Sequence, residues 1–178
     1  MKSVWFTSDT HFDHESILQH QSNRGAAFDT VEEMNDVFIQ NINACVKRDD
    51  LLVHCGDFAW RNSRLGHVRQ RLNVRELWVT QGNHDANALR RYVSRMETQL
   101  TLKYHEHRFV MQHCPMFSWP GREHGTIHLY GHSHGASEDF LNEHFPDRRA
   151  MDVGIDYIYR GTSRWEPLHI DAVLGVLL

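Results

Sequence analysis

An α/β fold built on one mixed sheet, or two, is predicted by three features of the 178-residue sequence. Short β-branched or aromatic runs recur, each ending in a polar cluster. Helical patterns separate the early runs, and the later half reads mainly as strands and loops. No repeat of about 20–50 residues and no Pro- or Gly/Ser-rich linker interrupts the chain, so residues 1–178 read as one domain. A chain of this size buries roughly 70% of its unfolded surface, enough to hold a core without disulfides or structural metal.

The elements follow in order. Val4-Trp5-Phe6-Thr7 is a strand running into Ser8-Asp9-Thr10-His11. The clearest helix spans Thr30 to about Lys47: Thr30 and Glu33 have capping-box spacing, and Val31, Met34, Phe38 and Cys45 form its apolar stripe. Leu51-Leu52-Val53 ends at Gly56-Asp57, and Leu77-Trp78-Val79 ends at Gly82-Asn83-His84-Asp85. Weaker helical patterns cover about Ser63 to Leu72 and Ala86 to Tyr92. From about Thr98 to Val153 strands and loops alternate, with Phe109-Val110-Met111 preceding His113 and Ile127-His128-Leu129-Tyr130 preceding Gly131-His132-Ser133-His134. Pro167 to Leu178 reads as a strand end and a short helix, whose apolar tail packs on its own core or on a second subunit.

Five strand-like runs thus end in side chains able to hold metal. Asp9 and His11, and likewise His132 and His134, are two apart, which on an extended backbone aims both members of a pair to one side. The carboxyl ends of strands are where open α/β sheets bind ligands. The donors are carboxylates, imidazoles and one amide oxygen without thiolate, a set suited to Mn, Fe, Co, Ni or Zn ions rather than to a structural zinc finger. Alone, each cluster is an ordinary polar turn; in this order, and each after a strand, they point to a metal site with donors enough for two ions.

Composition narrows the function. Nineteen Lys+Arg against 23 Asp+Glu leave a net charge of −4, against a long basic track for duplex nucleic acid. Fifteen histidines are the unusual count. Cys45, Cys55 and Cys114 form no Cys-x-x-Cys pair, which fits a reducing cytoplasm. Asp9 and His11 interrupt the start before a signal-peptide core could form, and Ala172 to Leu178 is far too short to span a membrane.

The series Asp9-x-His11, Gly56-Asp57, Gly82-Asn83-His84-Asp85, His113 and Gly131-His132-Ser133-His134 resembles the calcineurin-like metallophosphoesterase superfamily, from Val4 through about Asp156. The resemblance implies a four-layer α/β/β/α sandwich of two mixed sheets with a dinuclear site at the strand ends. It implies that Asp9, His11 and His134 hold one ion, that Asn83, His113 and His132 hold the other, and that Asp57 bridges them. A hydroxide shared by the ions, Mn foremost, would be the nucleophile, and His84 would face the phosphate as a charge stabiliser or general acid. Asp85 would orient His84, or else cap a helix at Ala86. Met151 to Asp156 resembles the closing strand, with a packing role.

Gly56-Asp57-Phe58-Ala59-Trp60 departs from the Gly-Asp-x-x-Asp of many relatives and lacks the Asp-Arg-Gly continuation of protein Ser/Thr phosphatases. Small members carry Cys where this chain has His84, and retention of His is associated with diesterase competence. The expected activity is therefore hydrolysis of small phosphodiesters, nucleotide-derived ones included. A phosphomonoesterase, a short single-strand nuclease and a non-catalytic metal-binding module are the alternatives. Substrate contacts are sought at Asn83, Trp60, Arg61 and Arg64, with His14, Trp119, Arg122 and Arg160 behind them. The arginines either clamp phosphate or are simply solvated, and the tryptophans either stack a base or fill core. Cys114 reads as a small buried residue.

Overall fold

The structure, a computed structural model, describes residues 2–60 and 64–178. In the first sheet β1 (Val4–Thr7), β2 (Leu51–His54), β3 (Glu76–Thr80) and β4 (Arg95–Glu97) run parallel in the order β4-β3-β2-β1. The second sheet holds β5 (Gln99–Tyr104), β6 (His107–Gln112), β7 (Ile127–Tyr130) and β8 (Ala150–Asp152) in sequence order, antiparallel at β5/β6 and parallel thereafter. Strand β9 (Leu168–His169) returns antiparallel to β1 and closes the first sheet.

Both faces of both sheets are covered, and strand periodicity shows how. Phe6, Val53, Met111 and Leu129 point between the sheets, joined there by Ile170 and Val173 of α7 (Ile170–Leu177). Leu52, Leu77 and Val79 point the other way, against Ile17 of α1 (Ile17–His20), Phe38 and Ile42 of α3 (Val31–Cys45), Val68 of α4 (Leu65–Arg71) and Ile155 of α6 (Ile155–Thr162). On the outer face of the second sheet, Val110, Tyr130 and Ala150 meet Trp119 and Leu141 of α5 (Glu138–His144). The layers are α/β/β/α, as the resemblance implies.

The α3 cap forms with a shift of one residue: Thr30 accepts from the Glu33 amide at 3.2 Å, while the Glu33 carboxylate accepts from the Asp29 amide rather than from Thr30. The tail packs on its own core through Val173, while Val176 and Leu178 are exposed.

Several elements differ from expectation. The pattern at 86–92 is a 3₁₀ turn, Asn87–Arg91, not an α-helix. Asp85, the side chain placed to cap it, turns back to accept from the amides of Asp57, Phe58 and Gly82, at 2.9, 2.8 and 2.9 Å. It therefore neither caps Ala86 nor orients His84. The closing strand ends at Asp152, and α6 starts at Ile155. Cys114 is exposed, not buried. Unanticipated short helices are α1, α2 (Ser22–Ala27), α5 and α6.

The carboxyl ends of β1 and β2 place the site. Past both strands the backbones stay paired: Asp9, His11 and Phe12 donate to the carbonyls of Gly56, Asp57 and Phe58, each at 3.0 Å. A bridge from Ser8 to Gly154 ties this edge of the first sheet to the end of the second.

Candidate metal centre

Asp9, His11, Asp57, His132 and His134 all have positive φ, between 49° and 70°. Convergence therefore does not arise from i, i+2 side chains on extended backbone, as the sequence suggested. Left-handed turns just past the strand ends aim these side chains, and Asp is among the residues that tolerate this region best. Two glycines make room. A side chain at Gly82 would overlap the Asp57 amide and carboxylate, and one at Gly131 would overlap Ser8 and the Asp9 carboxylate.

Two donor clusters result. Asp9, His11 and His134 form one and Asp57, His113 and His132 the other, with donor atoms in each within 4.8 Å of one another. Asn83 joins the second: its Oδ1 lies 3.0 Å from His113 Nε2 and 3.1 Å from His132 Nδ1. Asp57 Oδ2 stands between the clusters, 3.3 Å from His113 Nε2 and 3.6 Å from His11 Nε2. All seven expected donors are thus brought together, in the grouping that the resemblance implies. Asp9, His11, Asp57 and Asn83 follow strands of the first sheet; His113, His132 and His134 follow strands of the second.

The electrostatics suit a cation. Burial pushes the His11 imidazole down to about 2, so it is neutral, and its buried Nε2 has no hydrogen-bond partner. Burial, joined by the charge of Asp57, pushes Asp9 up against the pull of His134 and His113. Burial also favours a neutral His113, but the hydrogen bond to Asp57 and the charges of Asp9 and Asp57 raise it to about 9. Its Nδ1 faces the Cys55 carbonyl at 2.8 Å, leaving Nε2 to carry either a proton or an ion. The carboxylates that favour the proton favour a cation in its place. Burial alone would raise the Asp57 carboxyl as well, yet His113, the His84 amide and His11 hold it below the usual carboxylate range.

Groups behind the donors orient them, the arrangement typical of metal sites. His11 Nδ1 lies 3.2 Å from His14 Nδ1, and His14 Nε2 lies 2.9 Å from Ser16 Oγ. His134 Nδ1 lies 2.7 Å from Asp156 Oδ2. Asp156 is also paired with Arg24, a fully buried side chain on α2 that donates through Nη1 to the Thr10 carbonyl at 3.0 Å and through Nη2 to that of Asp9. Arg24 and Asp156 thus tie together the backbone that carries Asp9 and the ring of His134. The sequence reading missed Arg24 and gave Asp156 only a packing role, since an arginine and an aspartate 132 positions apart carry no local signal.

His84 belongs to neither cluster. Its side chain is 35% exposed, Nε2 lies 4.0 Å from Asp57 Oδ2, and its amide donates to Asp57 Oδ1 at 2.9 Å. Trp60 stands beside it, ring centroids 4.7 Å apart. The Arg64 guanidinium pairs with Asp13 at 3.3 Å and Glu32 at 3.5 Å. Arg61 lies outside the described residues. Trp119 is buried on the outer face of the second sheet, its Nε1 donating to the Thr126 carbonyl.

An Asp57→Asn variant is expected to lower Mn²⁺ affinity by more than about 100-fold, the upper end for losing even a supporting contact. Equilibrium dialysis checks it, and wild-type affinity would remove Asp57 from the ligand set.

A four-layer α/β sandwich with two donor clusters at its strand ends is a metal-binding protein of the α/β/β/α class. The model of the calcineurin-like phosphoesterase family matches residues 2–163, and the chain belongs to that family. An uncharacterized protein of Methanocaldococcus jannaschii is 28% identical over 182 residues, 99% of this chain and 92% of its own length. The crystal structure of a protein of unknown function from Aquifex aeolicus shares the fold, with TM-score 0.78 and 19% identity over 99% of this chain and 100% of that one. An archaeal phosphodiesterase overlaps at TM-score 0.45 and 18% identity, over 73% of this chain and 72% of that one. Among the described residues no helix is long and apolar enough to cross a membrane.

Proposed function

We propose that the protein hydrolyses small phosphodiesters with the help of two divalent cations. The observation that carries this reading is the position of Asp57, a carboxylate of the second donor cluster whose Oδ2 also lies 3.6 Å from His11 Nε2 of the first, with His84 Nε2 at 4.0 Å and outside both sets. Donors of nitrogen and oxygen without thiolate suit Mn²⁺. Bound there, two cations would lower the pKa of a shared water and clamp the attacking and leaving oxygens of an in-line displacement.

The chain's own residues do the rest. Asp57 holds the halves of the site in register, and Asp85 fixes the turn that carries Asp57 by accepting from its amide and from those of Phe58 and Gly82. His84 is partly exposed at the rim, where Nε2 can hold or deliver a proton to the departing alkoxide. No nucleophilic serine or cysteine is required; Cys55 is buried, and burial, with the charges of Asp9 and Asp152, raises its thiol well above the usual range.

Metal-stripped protein assayed with bis-p-nitrophenyl phosphate and p-nitrophenyl phosphate, with and without Mn²⁺, tests the reading. The expected result is Mn²⁺-dependent turnover favouring the diester. Preference for the monoester makes the protein a phosphatase, and binding of Mn²⁺ without turnover of either makes it a binding module.

A further inference from the structure

Trp60 is 43% exposed, although one of its faces is fully used. The His14 ring lies flat against the indole, centroids 3.9 Å apart and planes 1° from parallel. His84 is 4.7 Å from Trp60 and 5.9 Å from His14. These three separations make a triangle with a near-right angle at Trp60. His84 therefore sits at the indole's edge rather than over its second face, and among the described residues no ring stacks on the face opposite His14.

The shelf is held from below. His14 is buried and pinned by His11 Nδ1 and Ser16 Oγ, and the Trp60 amide donates to the Phe12 carbonyl at 2.8 Å. A flat, immobilised aromatic face loses little entropy when a planar ring lands on it, which is the chemistry of sequence-tolerant base stacking.

We propose, resting on the phosphodiesterase reading, that the face of Trp60 opposite His14 takes the nucleobase of a nucleotide phosphodiester and so selects base-bearing esters over aliphatic ones. The spacing favours a nucleotide over a simple aryl ester. His84 neighbours both the indole, at 4.7 Å between ring centroids, and Asp57 Oδ2, 4.0 Å from its Nε2, so a base carried on a sugar has the reach to span from a phosphate beside Asp57 to the indole.

The test compares two esters with the same leaving group, the p-nitrophenyl ester of thymidine 5′-phosphate and ethyl p-nitrophenyl phosphate. The readout is the ratio of their kcat/KM values, which cancels any general loss of active protein. Wild type should prefer the thymidine ester. Trp60→Ala and Trp60→Leu should each lower the ratio about tenfold, the scale of one stacked base, and Trp60→Phe should keep most of it. A wild type without preference, an unchanged ratio in Trp60→Ala, or a Trp60→Leu that matches wild type overturns the proposal. If wild type cleaves neither ester, the phosphodiesterase reading fails separately, and equilibrium binding of thymidine 5′-monophosphate against ribose 5-phosphate to Mn²⁺-loaded protein decides the shelf. Tighter binding of the nucleotide that is lost in Trp60→Ala upholds it; equal affinities overturn it.

Discussion

Arg24→Met is expected to melt roughly 6 to 20 °C below wild type. Arg24 is fully exchanged from water into the core, where it binds Asp156 through two nitrogens and the carbonyls of Asp9 and Thr10. Removing one partner of such a pair leaves the other charge buried and uncompensated, at about 3–5 kcal/mol. Each kcal/mol is worth roughly 2–4 °C in a domain of this size. Burial by itself would raise the Asp156 carboxyl, but Arg24 and then His134 hold it far below its ordinary value of 3.8. A depressed carboxyl contributes stability above the ordinary value and loses it as pH falls through the folded one. The melting difference between wild type and variant should therefore narrow once the solution is more acid than 3.8. Calorimetry across pH checks both statements. The double variant Arg24→Met/Asp156→Leu, with neither charge left stranded, should regain part of the lost stability but not the metal affinity, because His134 loses its orienting partner. A single variant that melts with wild type would show that water reaches this pair.

His84→Ala should keep its metal and lose diester turnover by about 10²- to 10⁴-fold, the usual scale for a positioned proton donor. The side chain lies outside both donor clusters, and the contact that His84 makes with Asp57 Oδ1 comes from its backbone, which alanine preserves. Metal content by mass spectrometry and turnover of bis-p-nitrophenyl phosphate separate the outcomes. A turnover within severalfold of wild type would take His84 out of the chemistry, and loss of metal would make it a ligand.

The sequence made the donors legible because each follows a strand whose apolar run stands out, so Asp9 through His134 could be named, while their grouping into two sets came from the family resemblance. The reason they converge was not legible: positive φ at Asp9 and His132 is a property of turns that only the paired loops and sheets impose. Short helices escaped for a different reason. In α5 Leu141 packs inward beside the buried carboxylate of Glu138 while Phe140 is exposed, and so brief an element shows no apolar period. Arg24 illustrates a third limit. In sequence it is one arginine among polar residues, and its importance lies entirely in partners brought from the far end of the chain.

The division of donors between the two sheets has a thermodynamic consequence. Neither sheet alone completes either cluster, since His134 comes to Asp9 and His11 from across the interface, and His113 and His132 come to Asp57 and Asn83 in the same way. Ion affinity and the docking of the sheets are then a single linked equilibrium. Cation at 100 times its dissociation constant would resist separation of the layers by about 2.7 kcal/mol per site. Any substitution that loosens the inter-sheet core, at Phe6 or Leu129 for instance, should therefore show itself first as weakened metal binding, before the fold itself gives way.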